Sequence, residues 1–247
     1  MNDAVTYESR EHIATITLNR PDRLNAINRD VELGLAAAWH QLNDSDDRVA
    51  ILTGAGDKAF SVGKDLKDPS TPDYRRFVPG FDIVVNKPIV AAVGGWCIGG
   101  AMTLVQMCDL CVASEDARFQ YPEARVGFAG GLIAGMAVRM PHKVAMEVIL
   151  LGEELSAERA YQVGFVNKLV PRGKQLEAAH AYAQRLAANA PMVLSMLKEF
   201  VGEVLPSGPM ERASHAMKRV EAVMNSADRR EGMESFAQKR PPRYEGR

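Results

Sequence analysis

Pro88-Ile89-Val90-Ala91-Ala92-Val93-Gly94-Gly95 is a continuous apolar run that stops on glycine, and Gly99-Gly100-Ala101 then opens a helical pattern over Met102 to Met107. A run that is apolar at every position fits a strand covered on both faces, as in a parallel sheet. Two more runs read the same way: Val49-Ala50-Ile51-Leu52-Thr53-Gly54 and Asp109-Leu110-Cys111-Val112-Ala113. Upstream, His12 to Leu18 alternates apolar and polar residues, as a half-buried strand does, and Asn19-Arg20-Pro21-Asp22 closes it as a turn. From Asn28, the spacing of Val31, Leu35, Ala38, Trp39 and Leu42 predicts a helix that ends in the polar stretch Asn43 to Asp47. Strands alternating with helices at this rhythm imply an α/β fold with a mainly parallel sheet and crossover helices.

Beyond Pro141 the character changes. Val144 to Leu151, Ala157 to Val163, Leu176 to Asn189, Pro191 to Val204 and Pro209 to Ser226 carry helical patterns. Ser156 has the chemistry of an N-cap and Gly164 that of a left-handed C-terminal cap, with a short strand returning over Gly164 to Val170. The expected division is a core over 1–190 and a helical region over 191–247.

The 247 residues, 47% hydrophobic and 25% charged, fit one generous domain with a real core. A net charge of -1 gives no overall field to gather nucleic acid or anionic membrane. The basic tail Lys239-Arg240-Pro241-Pro242-Arg243 reads as a solvated terminus. Cys97, Cys108 and Cys111 offer no pair of CxxC knuckles and no nearby histidine, so they read as buried reduced thiols, and no residue is assigned to a metal. With no signal-like start and no run of about 18 apolar residues, the expectation is a cytoplasmic protein.

Two glycine-containing segments follow strands. Lys58-Ala59-Phe60-Ser61-Val62-Gly63-Lys64-Asp65-Leu66-Lys67 reads, by itself, as an ordinary strand-to-helix loop, and Trp96 to Met102 as close helix-on-sheet packing. Together they suggest more. Both should lie at the carboxyl ends of strands of one parallel sheet, where open α/β sheets place ligands. Two backbone N–H groups converging there suit one oxyanion.

At this point the chain resembles the crotonase, or enoyl-CoA hydratase/isomerase, superfamily. The residues carrying the resemblance are Asn19-Arg20-Pro21 with Leu24-Asn25-Ala26, the Ala59 to Leu66 loop, Lys87 to Val93, Gly99-Gly100-Ala101, Cys108-Asp109, Ala117-Arg118-Phe119 with Pro122-Glu123, and Arg229-Arg230-Glu231-Gly232 with Phe236 and Lys239-Arg240. Their order agrees over roughly residues 5 to 245. The resemblance implies a ClpP/crotonase-like fold with a repeated ββα core and a C-terminal helical region used in trimerisation. It implies action on an acyl-CoA thioester, with coenzyme A as part of the substrate and no separate cofactor, by a homotrimer or dimer of trimers.

By the same resemblance, the backbone N–H groups of Lys64 and Gly100 form an oxyanion hole, and Glu123 is the acid/base. Asp65, Leu66, Lys67 and Thr103 line the acyl-CoA site, and Arg23, Leu24 and Ala26 meet the CoA. Read without the family, Glu123 is a surface carboxylate at a turn after proline, and the Lys64 side chain is a solvated charge. Family hydratases carry a second glutamate three residues after the Gly100 position, where this chain has Thr103. A hydroxyl cannot act as a carboxylate base at neutral pH, and Thr103 reads equally as a water-positioning residue or as one bonding back in the first helical turn. Gly127-Phe128-Ala129-Gly130-Gly131 replaces the family's proline-containing loop, and the Pro69 to Phe81 loop is short. Enoyl-CoA hydratase/isomerase chemistry leads. The alternatives are a hydroxycinnamoyl-CoA-type hydratase-lyase, a thioester hydrolase, or a catalytically weak CoA-thioester-binding protein. Tyr74, Tyr121, Phe128 and Trp96 are candidates to line an aromatic acyl pocket, with core packing the stronger reading for each, and His142, His180 and His215 receive no catalytic role.

Overall fold

The computed structural model describes residues 3–128 and 131–247. Its strands alternate between two sheets. Strands β1 (Val5–Arg10) and β2 (Ile13–Leu18) form an antiparallel hairpin, and helix α1 (Arg29–Asp44) leads on to β3 (Val49–Gly54). Asn28 caps α1 by accepting from the Val31 N–H at 3.2 Å, which satisfies one of the orphan donors of the first turn. Three strand pairs follow the same plan. β3 is followed by β4 (Ala59–Ser61). Next, β5 (Ile89–Val93) is followed by β6 (Trp96–Ile98) and helix α2 (Gly100–Gln106). Finally, β7 (Leu110–Ser114) is followed by β8 (Arg118–Gln120) and helix α3 (Glu123–Val126).

The first strand of each pair joins the large sheet and the second joins the small one. Helix α4 (His142–Met146), strand β9 (Glu154–Ser156), helix α5 (Ala157–Gln162) and strand β10 (Lys168–Val170) complete both sheets. The large sheet runs β1-β2-β3-β5-β7-β10 and the small one β4-β6-β8-β9. All pairings from β2 to β10 in the large sheet are parallel, as are β4-β6-β8, while β9 is antiparallel.

Strands β3, β5 and β7 are apolar apart from the buried Thr53 and Ser114 because both faces are covered. Ala50, Leu52, Ala91 and Val93 face the main core with Leu35, Trp39 and Phe119. Ile51, Val90 and Val112 face the opposite way, under Ala179 and Ala183 of α6 (Gln175–Ala187). Ser156 caps α5 as expected, accepting from the Arg159 N–H, and Gly164 follows that helix with φ +81°. The last three helices are α7 (Pro191–Val204), α8 (Pro209–Met224) and α9 (Ala227–Ala237). They bury little: α7 has no buried residue, and Met192, Phe200, Val204, Val223 and Phe236 stand exposed. No helix among the described residues is long and apolar enough to cross a membrane.

The two glycine loops lie at the carboxyl ends of neighbouring parallel strands of one sheet, as the sequence implied, but that sheet is the small one and not the one built by the long apolar runs. A three-residue strand of the small sheet intervenes before each of them: β4 before Gly63 and β6 before Gly99.

Candidate active site

Three adjacent parallel strands of the small sheet end on the same side. Gly63-Lys64 follows β4, Gly99-Gly100 follows β6, and Tyr121-Pro122-Glu123 follows β8.

The Lys64 backbone is oriented by a parallel bridge to Ile27. The Ile27 N–H donates to the Gly63 carbonyl at 2.7 Å, and the Asp65 N–H donates to the Ile27 carbonyl at 2.9 Å. Lys64 sits between these rungs, so its own N–H faces away from Ile27 and has no acceptor among the described residues. Gly100 is in a similar position. The Gly99 N–H donates to Gln120 at 2.8 Å and the Met102 N–H donates to Gly99 at 2.9 Å, while the Gly100 N–H, opening α2, also finds no acceptor there.

Glycine is what lets the loops approach. Gly63 has φ +76°, and a Cβ on it would come within 2.6 Å of the Ile98 carbonyl oxygen and 3.3 Å of the Gly100 nitrogen. Gly99 has φ +58°, and a Cβ there would lie 2.7 Å from Oε1 of Glu123. The two unpaired N–H groups and one carboxylate are thus brought together by positions where no side chain fits.

Glu123 opens α3 and is half-buried. Burial raises its pKa to about 7, opposed by a hydrogen bond from its own backbone N–H, and its buried Oε2 has no hydrogen-bond partner. Thr103, one turn further along α2, is buried.

The remaining residues expected from the sequence sit around this centre. Leu24 accepts the Val62 N–H at 3.2 Å, which lays the segment of Arg23, Leu24 and Ala26 beside the Lys64 loop. Arg20 binds the two together, with Nη1 donating to the Ala26 carbonyl at 2.6 Å and pairing with Oδ2 of Asp65 at 2.9 Å. The Asp65 carboxylate also accepts from the Lys67 N–H at 3.1 Å, so it is occupied in holding the loop. Leu66 and Lys67 are exposed, as is Arg23. The Lys64 ammonium donates to Thr71 at 3.3 Å and lies 5.3 Å from the centre of the Phe128 ring. Ala129 and Gly130 of the altered loop lie outside the described residues. A cavity of about 910 Å³ lined by Arg139, Lys198, Glu211 and His215 lies at the other end of α2 and includes none of the three loops.

Tyr74 packs against the core, in line with its stronger reading from sequence, and its ring edge also covers Gly100. A Cβ on Gly100 would meet its Cε1 at 2.1 Å and its hydroxyl at 2.4 Å. A lone aromatic in an irregular loop carries no periodic signal that would have revealed this.

Two sheets fed by alternate strands, with a pair of acceptor-free N–H groups beside a half-buried carboxylate, match the crotonase class of acyl-thioester enzymes. The chain belongs to the enoyl-CoA hydratase/isomerase family, which it matches over residues 8–247. It is 33% identical to (E)-benzylidenesuccinyl-CoA hydratase of Thauera aromatica, over 98% of this chain and 99% of that one. It is 34% identical to carnitinyl-CoA dehydratase of Salmonella typhi, with 100% of each covered. Its fold matches that of a carnitinyl-CoA dehydratase from Mycobacterium avium 104 with a TM-score of 0.77, 34% identity and 100% of each chain covered. It is accordingly an enzyme of hydratase/isomerase type acting on an acyl-CoA thioester.

Proposed function

We propose that the enzyme interconverts a 2-enoyl-CoA and a 3-hydroxyacyl-CoA through an enolate held by the Lys64 and Gly100 N–H groups, with Glu123 as the only carboxylate acid/base. The observation that carries this reading is the pair of acceptor-free N–H groups beside a carboxylate whose pKa lies near 7. Adding water at Cβ, or removing a proton at Cα, puts negative charge on the thioester oxygen. Donors already aimed at that oxygen need no reorganisation, and one such donor is worth roughly 3 to 4 kcal/mol. A carboxyl group poised near neutrality can take a proton in one step and return it in the next. Hydration and dehydration are favoured over isomerisation because the named activities of two similar proteins are a hydratase and a dehydratase.

Thr103 and the backbone of Asp65, Leu66 and Lys67 then border the acyl group, and Arg23, Leu24 and Ala26 border the coenzyme A. In this reading residues 1–190 are the catalytic core of a cytoplasmic enzyme and residues 191–247 its assembly region, in a trimer or a dimer of trimers.

The test is Glu123→Gln, which keeps the shape and hydrogen bonding of the side chain but removes the base. Turnover of a chain-length series of 2-enoyl-CoA thioesters should fall by about 10²-fold or more, with acyl-CoA affinity largely kept. Native rates in this variant would rule out Glu123 as the base.

A further inference from the structure

A single carboxylate leaves the reacting oxygen at Cβ with one protein partner fewer than a pair of carboxylates would provide. The structure offers a second polar group. Tyr74 is half-buried in a short 3₁₀ turn, Tyr74–Arg76, and its hydroxyl reaches the same Gly99-Gly100 dipeptide that Glu123 reaches. Its hydroxyl makes no hydrogen bond to any described residue, and Oε2 of Glu123 is likewise unpartnered. Two polar groups that share a half-buried site without protein partners are suited to a small polar atom of a ligand.

The turn is held from below. Glu32 of α1, 1% exposed and ion-paired with Arg29, accepts the N–H of Asp73 at 3.0 Å. Trp39 donates to the Phe77 carbonyl at 2.8 Å, and the Phe77 ring packs 4.9 Å from that of Tyr74. Burial, together with the negative charge of Glu123 nearby, raises the phenol pKa well above its ordinary value, so the group stays a neutral O–H.

We propose that Tyr74 is a further catalytic residue, whose phenol hydrogen-bonds the oxygen that adds to, or leaves, Cβ of the acyl thioester. The inference rests on the reading of Glu123 given above. In the hydration direction, the Glu123 carboxylate takes one proton from water as the water oxygen bonds to Cβ, and the double-bond pair moves to the thioester oxygen. The enolate then takes that same proton from Glu123 at Cα, which restores the carboxylate. Tyr74 keeps its proton throughout and fixes the oxygen. In the dehydration direction, the same hydrogen bond holds the hydroxyl that departs.

The experiment pairs two reactions on Tyr74→Phe, Glu123→Gln and the parent enzyme. One is hydration of the best 2-enoyl-CoA in a chain-length series. The other is exchange of the α-proton of the matching saturated acyl-CoA in D2O, followed by NMR, which needs the base and the oxyanion donors but no oxygen at Cβ. Tyr74→Phe keeps the ring, so hydration kcat is expected to drop about 100-fold while KM and the exchange rate stay within about threefold. Equal loss of both reactions would make Tyr74 a support for the loop, and hydration within about threefold of the parent would remove the role altogether. A parent that exchanges the α-proton but hydrates no 2-enoyl thioester would overturn the inference as well. Failure of the base reading is distinct: there, Glu123→Gln retains both reactions.

Discussion

Glu123 combines two consequences of one burial. The carboxyl lies in a site formed by backbone and aromatic surface, and desolvation raises its pKa to about 7. The folded protein therefore holds a proton that the unfolded chain releases near its ordinary value of 4.5. The associated stability is fully present below that ordinary value and is lost as pH rises through about 7. Glu123→Gln has no such dependence. Melting temperatures measured from about pH 4 to about pH 8 should show the parent falling progressively behind the variant, with the gap opening between the two pKa values. A gap constant across that range would contradict the raised pKa. The sequence singles out Glu123 only through the resemblance that Pro122-Glu123 carries, since by itself it reads as a surface carboxylate. Tyr74 stands there as one of four candidate pocket aromatics, and nothing local in Asp73-Tyr74-Arg75 announces that the turn folds over Gly100.

Among the elements, those that build the frame were readable and those that present the site were not. β3, β5 and β7 run five or six residues with apolar side chains toward both faces, which leaves a long signal. β4, β6 and β8 have three residues each, too few for any period, and the segments that follow them, Gly63-Lys64, Gly99-Gly100 and Pro122-Glu123, stand out only by resemblance. The close contact of Gly63 with Ile98 joins the first two of these short strands. Gly63→Ala combines a strained positive φ with a clash against a carbonyl, and should cost about 1 to 3 kcal/mol in chemical unfolding. It should also part the two N–H donors and reduce kcat by about 10²-fold. Gly164→Ala serves as the control, since Gly164 has φ +81° but a Cβ there meets nothing within 4 Å. That variant should lose stability while keeping kcat. Full activity in Gly63→Ala would show that the loop contact does not set the donors.

For the whole molecule, the contrast is between a core with many fully buried side chains and a helical region over 191–247 whose apolar side chains largely face outward. Met192, Val193, Met196, Phe200 and Val204 stand exposed along α7, and Val223 and Phe236 on the two helices that follow. Exposed apolar groups in such number suit a surface that the proposed trimer or dimer of trimers would cover. Light scattering at micromolar concentration should give the mass of a trimer or twice that. Phe200→Glu combined with Met196→Glu should shift the mass downward and lower the melting temperature. A monomer for the parent chain would leave this surface unexplained and remove the assembly proposal. The sequence revealed α7 and α8 through their spacing but not α9, and spacing alone does not tell an inward apolar stripe from an outward one.

The alternation of strands between the sheets also bears on how the chain reaches its shape. Thr53 and Ala92, hydrogen-bonded at 3.0 Å from β3 to β5, are 39 residues apart in sequence. A rung between such distant residues is formed only after a long loop has closed, and parallel topologies of this kind fold slowly for that reason. Because β4 and β6 follow directly from β3 and β5, the places of Gly63 and Gly99 depend on the register of both sheets at once, and a slip in either would part the Lys64 and Gly100 N–H groups.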